Sequence, residues 1–308
     1  MPALEMLLDG LVDYAGLYPP ASLDMEAMVE QYAMALAGEQ SWVVGRVIVP
    51  ASQLSAFETA AAGALPGHED DDPWCISALV RADAMDADLE AIGAFNDAHE
   101  EPGDGLALID AIEAKAHDAA GVEAIASNLP EGLFAFVEMP IDVDTRGMLA
   151  ALAGDELAAK IRTGGMAPEL YPQVGDVAAF IVHAAAAGVP FKATAGMHHP
   201  LPNDNPDVPA RQLGFLNVFL AAALAHHAGL DAAAVQAVLE TSDPDAFEFD
   251  GAMVHVAGHA LTAVQLEESR LSFCLSFGSC SLEEPWNDLH ALGLLVQPST
   301  EPIEEFEA

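Results

Sequence analysis

Eight short runs of β-branched and aromatic residues alternate with Ala-rich helical stretches over roughly 290 residues, which predicts an α/β chain closed as a (β/α)8 barrel of the TIM type. The runner-up is an open doubly wound sheet. No G-x-G-x-x-G opens a helix after a strand, so the dinucleotide-binding version of that fold lacks its usual mark. A third observation concerns charge. Nine residues are basic against forty-nine acidic, and five of the nine fall inside or at the ends of predicted strands. Solvent-facing strands offer such cations little, and burying one without a partner is expensive. A shared anionic ligand or a set of internal ion pairs must therefore account for them.

Residues 11–18 form the first strand, and Pro19-Pro20 the turn after it. Ser22 or Asp24 caps a helix running to residue 37, with Glu26 in its first turn. The second strand is 42–49, followed by a helix over 53–64; the third is 74–80, followed by a helix over 83–97. Residues 106–119 read as a helix, and 122–127 and 133–139 as the fourth and fifth strands. Only NLPEG (128–132) separates those two strands, whereas a parallel crossover needs about a dozen residues. Either this unit lacks its helix, or the register is wrong and the helix of unit four precedes its strand. Further on come a helix over 144–153, the sixth strand at 159–163, a helix over 174–187 and the seventh strand at 191–194. A long helix over 211–228 and a short one over 235–239 precede the eighth strand, 272–277, and a closing helix over 285–294. FEFDGAMVHVAG (247–258) fits neither period. It reads as a hairpin inserted before the last strand, with a role at the rim or in an oligomer contact. The whole of 1–308 is one barrel domain with a loosely held tail at 298–308.

The net charge of −40 belongs to a folded surface, because hydrophobic residues make up 52% of the chain. Scarce Lys, abundant Asp and many Ala residues match the habit of salt-adapted, halophilic cytoplasmic proteins, whose self-repulsion is screened at high salt. The composition argues against nonspecific nucleic-acid binding, which needs clustered Lys and Arg, and against attachment to anionic lipid. The apolar stretches are too short to span a bilayer, and the N-terminus lacks the basic region of a secretory signal. Cys75, Cys274 and Cys280 are odd in number, form no disulfide framework and fit a reducing, cytoplasmic compartment. A Walker A sequence, an H-E-x-x-H zinc helix and a nucleophile elbow are all missing.

Three segments, AKIRTGG (159–165), FKATAGMHHP (191–200) and SFGSCSLEEPWNDL (276–289), resemble a family of bacterial β/α-barrel proteins with no assigned reaction. The resemblance lies mainly in the C-terminal half. It implies a barrel and carries over no catalytic role for any residue.

In a barrel strand alternate side chains face inward, and those at the C-terminal end reach the mouth. Lys160 and Arg162 therefore share a face, and the same alternation pairs Lys192 with Thr194. Both strands end in glycine, Gly164-Gly165 and Gly196, which permits positive φ and close approach of a ligand to the backbone. Cations beside exposed N–H groups suit phosphate or carboxylate oxygens, so Arg46, Arg81, Arg162, Thr194 and Gly196 are candidate ligand contacts. Gly278, Ser279 and Ser281, after strand eight, have the size and donors to hold a phosphate-type anion. Lys192, with Lys160 and Arg162 supplying neighbouring positive charge, is either a reactive amine or a permanent cation clamping substrate oxygen. His198 or His199 is a candidate general acid or base. Glu138 is the inward acid available to the cations and, with the histidines, the least contrived metal set. That spacing is nonspecific, and neither a metal nor another cofactor is expected. The reading is an enzyme of lyase, aldolase or isomerase type acting on a small phosphorylated or carboxylated metabolite. Its alternative is a noncatalytic binding or assembly protein, a homo-oligomer in which acids lock every cation.

Overall fold

The computed structural model describes residues 2–68, 71–101, 103, 105–205 and 207–295; the tail expected at 298–308 lies outside them. Helix α1 (Ala3–Leu8) leads into strands β1 (Val12–Tyr14), β2 (Val44–Pro50), β3 (Trp74–Leu79), β4 (Ala107–Lys115), β5 (Phe134–Glu138), β6 (Ala158–Arg162) and β7 (Phe191–Thr194). A ribbon of β8 (Asn203–Asp204) with β9 (Arg211–Gln212) follows, then a three-stranded antiparallel sheet of β10 (Glu248–Phe249), β11 (Met253–Val256) and β12 (His259–Thr262). Strand β13 (Cys274–Ser279) closes the barrel by pairing in parallel with both β7 and β1, giving the order β1-β13-β7-β6-β5-β4-β3-β2. This is a (β/α)8 barrel with an insertion before its last strand.

Helices α2 (Met25–Ala37), α3 (Leu54–Ala61), α4 (Met85–Ala98), α5 (Ala119–Asn128), α6 (Arg146–Gly154), α7 (Val174–Ala187), α8 (Phe215–Ala228), α9 (Ala232–Glu240), α10 (Ala263–Ser272) and α11 (Glu283–Ala291) complete the chain. Short polar side chains start several of them. Asp24, Asp118 and Asp231 each accept a hydrogen bond from the third residue beyond, and Thr262 with Gln265 forms a reciprocal capping box. Helix α8 is buried from Phe215 to Ala225 and apolar there except for Asn217, which donates to the Val238 and Thr241 carbonyls, as suits a helix wedged between neighbours on every side. Period-two alternation sorts the strands. Ile112, Ala114, Ala159 and Ile161 face outward into the main core beneath the helices, whereas Ala111, Phe136 and Ala158 form a small separate plug inside the barrel.

The fourth unit corrects the sequence reading. Residues expected as a helix at 106–119 are mostly strand β4, and the expected strand at 122–127 lies within helix α5. Val122 and Ile125 are the buried residues of that helix, three apart, which is helical and not strand spacing. The expected helix over 211–228 starts at Phe215, because Arg211 and Gln212 pair with Asp204 and Asn203 in the ribbon. The hairpin expected at 247–258 is larger than predicted, since β12 adds a third strand. Ala3 N–H donates to Gly251 O at 2.7 Å, tying this sheet to α1. Among the described residues no helix is long and apolar enough to cross a membrane.

Candidate active site

The C-terminal ends of all eight barrel strands, or the residues just beyond them, surround one cavity of about 510 Å³. Ionised side chains form its floor. Lys192 lies 2.5 Å from Asp13 and 2.6 Å from Glu113. Lys160 lies 2.6 Å from Glu113 and 2.9 Å from Glu138. Glu138 in turn meets Lys115 at 3.0 Å and Arg162 at 3.5 Å. Charges thus alternate along one chain, Asp13–Lys192–Glu113–Lys160–Glu138, which ends at the mouth on Lys115 and Arg162.

Strand alternation and register build this chain. Glu113 and Lys115 are two apart on β4, as are Lys160 and Arg162 on β6, while Lys115, Glu138, Lys160 and Lys192 stand side by side across β4 to β7. Ser276 Oγ donates to Asp13 at 2.6 Å and Ser77 Oγ to Glu113 at 3.0 Å, so the deepest carboxylates are also hydrogen-bonded. Side-chain exposure grades the chain from 0% at Lys192 and 5% at Lys160 to 37% at Arg162 and 60% at Lys115. The inner two cations are enclosed, and the outer two are open to solvent.

Burial alone would raise the Glu113 carboxyl, but the Lys160 and Lys192 ammoniums outweigh it and hold it well below the usual carboxylate range. Glu138 is treated the same way: burial opposes ionisation, and Lys160 with Arg162 and Lys115 brings it down to about 2. For Lys160, burial pulls downward while Glu113 and Glu138 push harder upward, so it stays a charged ammonium. Tyr18, on the cavity wall, is raised to about 12 by burial and then by Glu113.

The five strand cations do not converge on one ligand. Lys160 and Arg162 line the cavity, and Lys192 sits one layer beneath it, enclosed by Asp13 and Glu113. Arg46 pairs with Asp110 at 2.5 Å, and the half-exposed Arg81 pairs with Asp88 at 2.6 Å; neither lines the cavity. Thr194, Gly196 and Gly278 do line it. Ser279 and Ser281 do not: Ser279 Oγ donates to the Ser281 carbonyl and accepts from the Ser281 N–H, so the pair closes on itself. Gly196 has φ +77, as expected for a left-handed turn, whereas Gly164 serves close approach. A Cβ on Gly164 would stand 2.6 Å from Gly196 Cα.

His198 and His199 both line the cavity, each held by a carboxylate one turn apart on α11. His198 Nδ1 lies 2.7 Å from Glu284 and His199 Nδ1 2.5 Å from Asp288. Burial would lower the His198 imidazole, but its contacts with Cys280 and Glu284 prevail and push it up to about 9. Among the described residues no group of three or more His, Cys, Asp or Glu is placed to hold a metal ion, so Glu138 and the histidines do not form a ligand set.

The site thus belongs to the class of β/α barrels with a charged cavity at the C-terminal mouth. No family model, no curated protein and no solved structure matches the chain, so that class rests on topology and geometry. Sequence reasoning did not find Asp13, Glu113, Lys115, Cys280 or Glu284. The period-two alternation of ALIDAIEAK carries the signal for Glu113 and Lys115, which the Ala-rich composition masks. Nothing local in the sequence links His198 to Glu284, which come together only when β7 and β13 pair.

Proposed function

We propose that this barrel is an enzyme holding a small carboxylated or phosphorylated metabolite at its mouth, with lyase, aldolase or isomerase chemistry and no Schiff base at Lys192. One observation carries the reading. The ionic chain has four cations, Lys115, Lys160, Arg162 and Lys192, against three carboxylates, Asp13, Glu113 and Glu138, and its surplus charge falls at the mouth. Arg162, which lines the cavity, carries a planar fork that among the described residues makes one hydrogen bond, from Nη1 to Gly164 O at 3.3 Å, and one ion pair, from Nε to Glu138 at 3.5 Å. Such a fork suits a carboxylate or phosphate better than a point charge does. Lys160 supports this as a fixed cation, and His198, which carries a proton at neutral pH, supplies a general acid.

A noncatalytic scaffold draws on a different fact. Eight of the nine basic side chains have a carboxylate within 4.0 Å, and the ninth, Arg270, donates to backbone carbonyls. Calorimetric titration with inorganic phosphate and with succinate, in molar potassium chloride, separates the two readings. Binding of either anion that weakens by about tenfold or more in Arg162→Gln supports the enzyme site. No heat from either, or binding indifferent to that change, favours the scaffold. The substitution itself should alter stability by less than about 1 kcal/mol, because the pair it removes is partly solvated.

A further inference from the structure

The same cavity holds a second constellation that the ionic chain does not use. Cys280, just past β13, places Sγ 3.8 Å from His198 Nε2, and the opposite ring nitrogen of His198 lies 2.7 Å from Glu284 Oε2. All three side chains line the cavity. Nucleophile, base and orienting carboxylate stand in line, the arrangement by which a histidine activates a thiol and a third group fixes the ring. Three separate elements position the parts. Cys280 follows a barrel strand, Glu284 lies in the first turn of α11, and His198 closes the turn whose Ala195 and Gly196 both have positive φ. The other two cysteines lack this setting: Cys75 lies outside the cavity, and Cys274 is buried against backbone carbonyls.

We propose that Cys280 is a catalytic nucleophile, activated by His198 and oriented through Glu284, that takes the acyl group of an ester or amide. The acyl compound's carboxylate or phosphate rests on the anion reading of Arg162; the thiol chemistry does not. With the proton shared between Cys280 and His198 held on His198 Nε2, the sulfur bonds to the carbonyl carbon as the π pair moves onto oxygen. Collapse expels the alcohol or amine, which takes the proton from His198 and leaves a thioester on Cys280. Water, losing a proton to His198, then adds to the thioester carbon, and the sulfur departs with its bonding pair beside the protonated ring, which restores the starting state. No electrons are gained or lost, and water is the only co-reactant. The cavity thereby gains a hydrolytic activity beyond proton transfer.

Two probes test this on the full chain. Iodoacetamide alkylation, mapped by peptide mass spectrometry in molar potassium chloride at about pH 6, should label Cys280 about tenfold faster than Cys75, since a thiol reacts as its thiolate. His198→Gln should remove most of that advantage. Cys280 reacting no faster than Cys75 in the unsubstituted protein overturns the proposal without recourse to any variant. The acyl step is read with p-nitrophenyl hydrogen succinate, which should leave a succinyl group on Cys280 and none at position 280 in Cys280→Ser. The neutral ester p-nitrophenyl acetate should acylate Cys280 about tenfold more slowly, and Arg162→Gln should erase the difference. Equal rates for the two esters uphold the nucleophile and defeat the anion site. Failure of both esters to acylate Cys280 defeats the nucleophile.

Discussion

Lys192 joins a wholly enclosed ammonium to two carboxylates in a space where water cannot follow. Removing one member of such a set costs far more than the set contributes, because the remaining charges are left desolvated. Lys192→Met, close in length and without charge, leaves Asp13 and Glu113 facing each other across the barrel interior. The expected loss is about 3–5 kcal/mol of unfolding free energy, measured by urea denaturation at fixed salt. A loss below about 1 kcal/mol would mean that the interior tolerates unpaired carboxylates, and the ionic chain would then be ornament to the fold. Sequence alone singled out Lys192 and placed it on the seventh strand. Its depth was not legible, because the acids that enclose it come from the first and fourth strands. The same limit hid Cys280: a lone thiol in a Gly/Ser-rich segment acquires meaning only beside His198.

At the scale of elements, the units easiest to read were those whose local pattern agrees with their place in the barrel. Strands β6 and β7 carry inward cations, outward apolar residues and terminal glycines, and the sequence places them within one residue of their observed ends. Strand β4 conflicts with its own composition, since Ala, Glu and Lys favour helix. Lys160 and Lys192 override that preference by holding Glu113 ionised inside the barrel. The layer spanning β4 to β7 therefore has a pH signature. Glu113 and Glu138 have folded-state values below the unfolded value of 4.5, with Glu138 near about 2. Their contribution is complete above pH 4.5 and is lost as pH falls from there through the folded values, because the unfolded chain binds the protons first. Surface carboxylates respond in the opposite sense as their repulsion is titrated away, so the comparison must be differential. Stability measured between about pH 2 and pH 5 should fall more steeply in the unsubstituted protein than in Lys160→Met, where both glutamates lose a cation. Parallel curves would show that Lys160 does not set their ionisation.

For the whole molecule, two electrostatic systems of opposite character share one chain. Inside, cations and acids alternate at 2.5 to 2.9 Å between members with little or no exposure. Outside, the net charge of −40 makes the surface repel itself. Added salt acts unequally on them. Exposed charges are screened over about 8 Å at 0.15 M and about 3 Å at 1 M, whereas a buried pair lies beyond the reach of the ion atmosphere. Raising the salt should therefore relieve surface repulsion while leaving the ionic chain nearly intact. The melting temperature should climb from dilute buffer to molar potassium chloride, with most of the gain complete once the screening length is shorter than the spacing of surface carboxylates. Lys192→Met should melt lower at every salt concentration yet follow the same upward slope, because its deficit is internal and its surface unchanged. A flat or falling melting curve in the unsubstituted protein would mean that surface repulsion is not what limits stability, and the salt-adapted reading of the composition would fail.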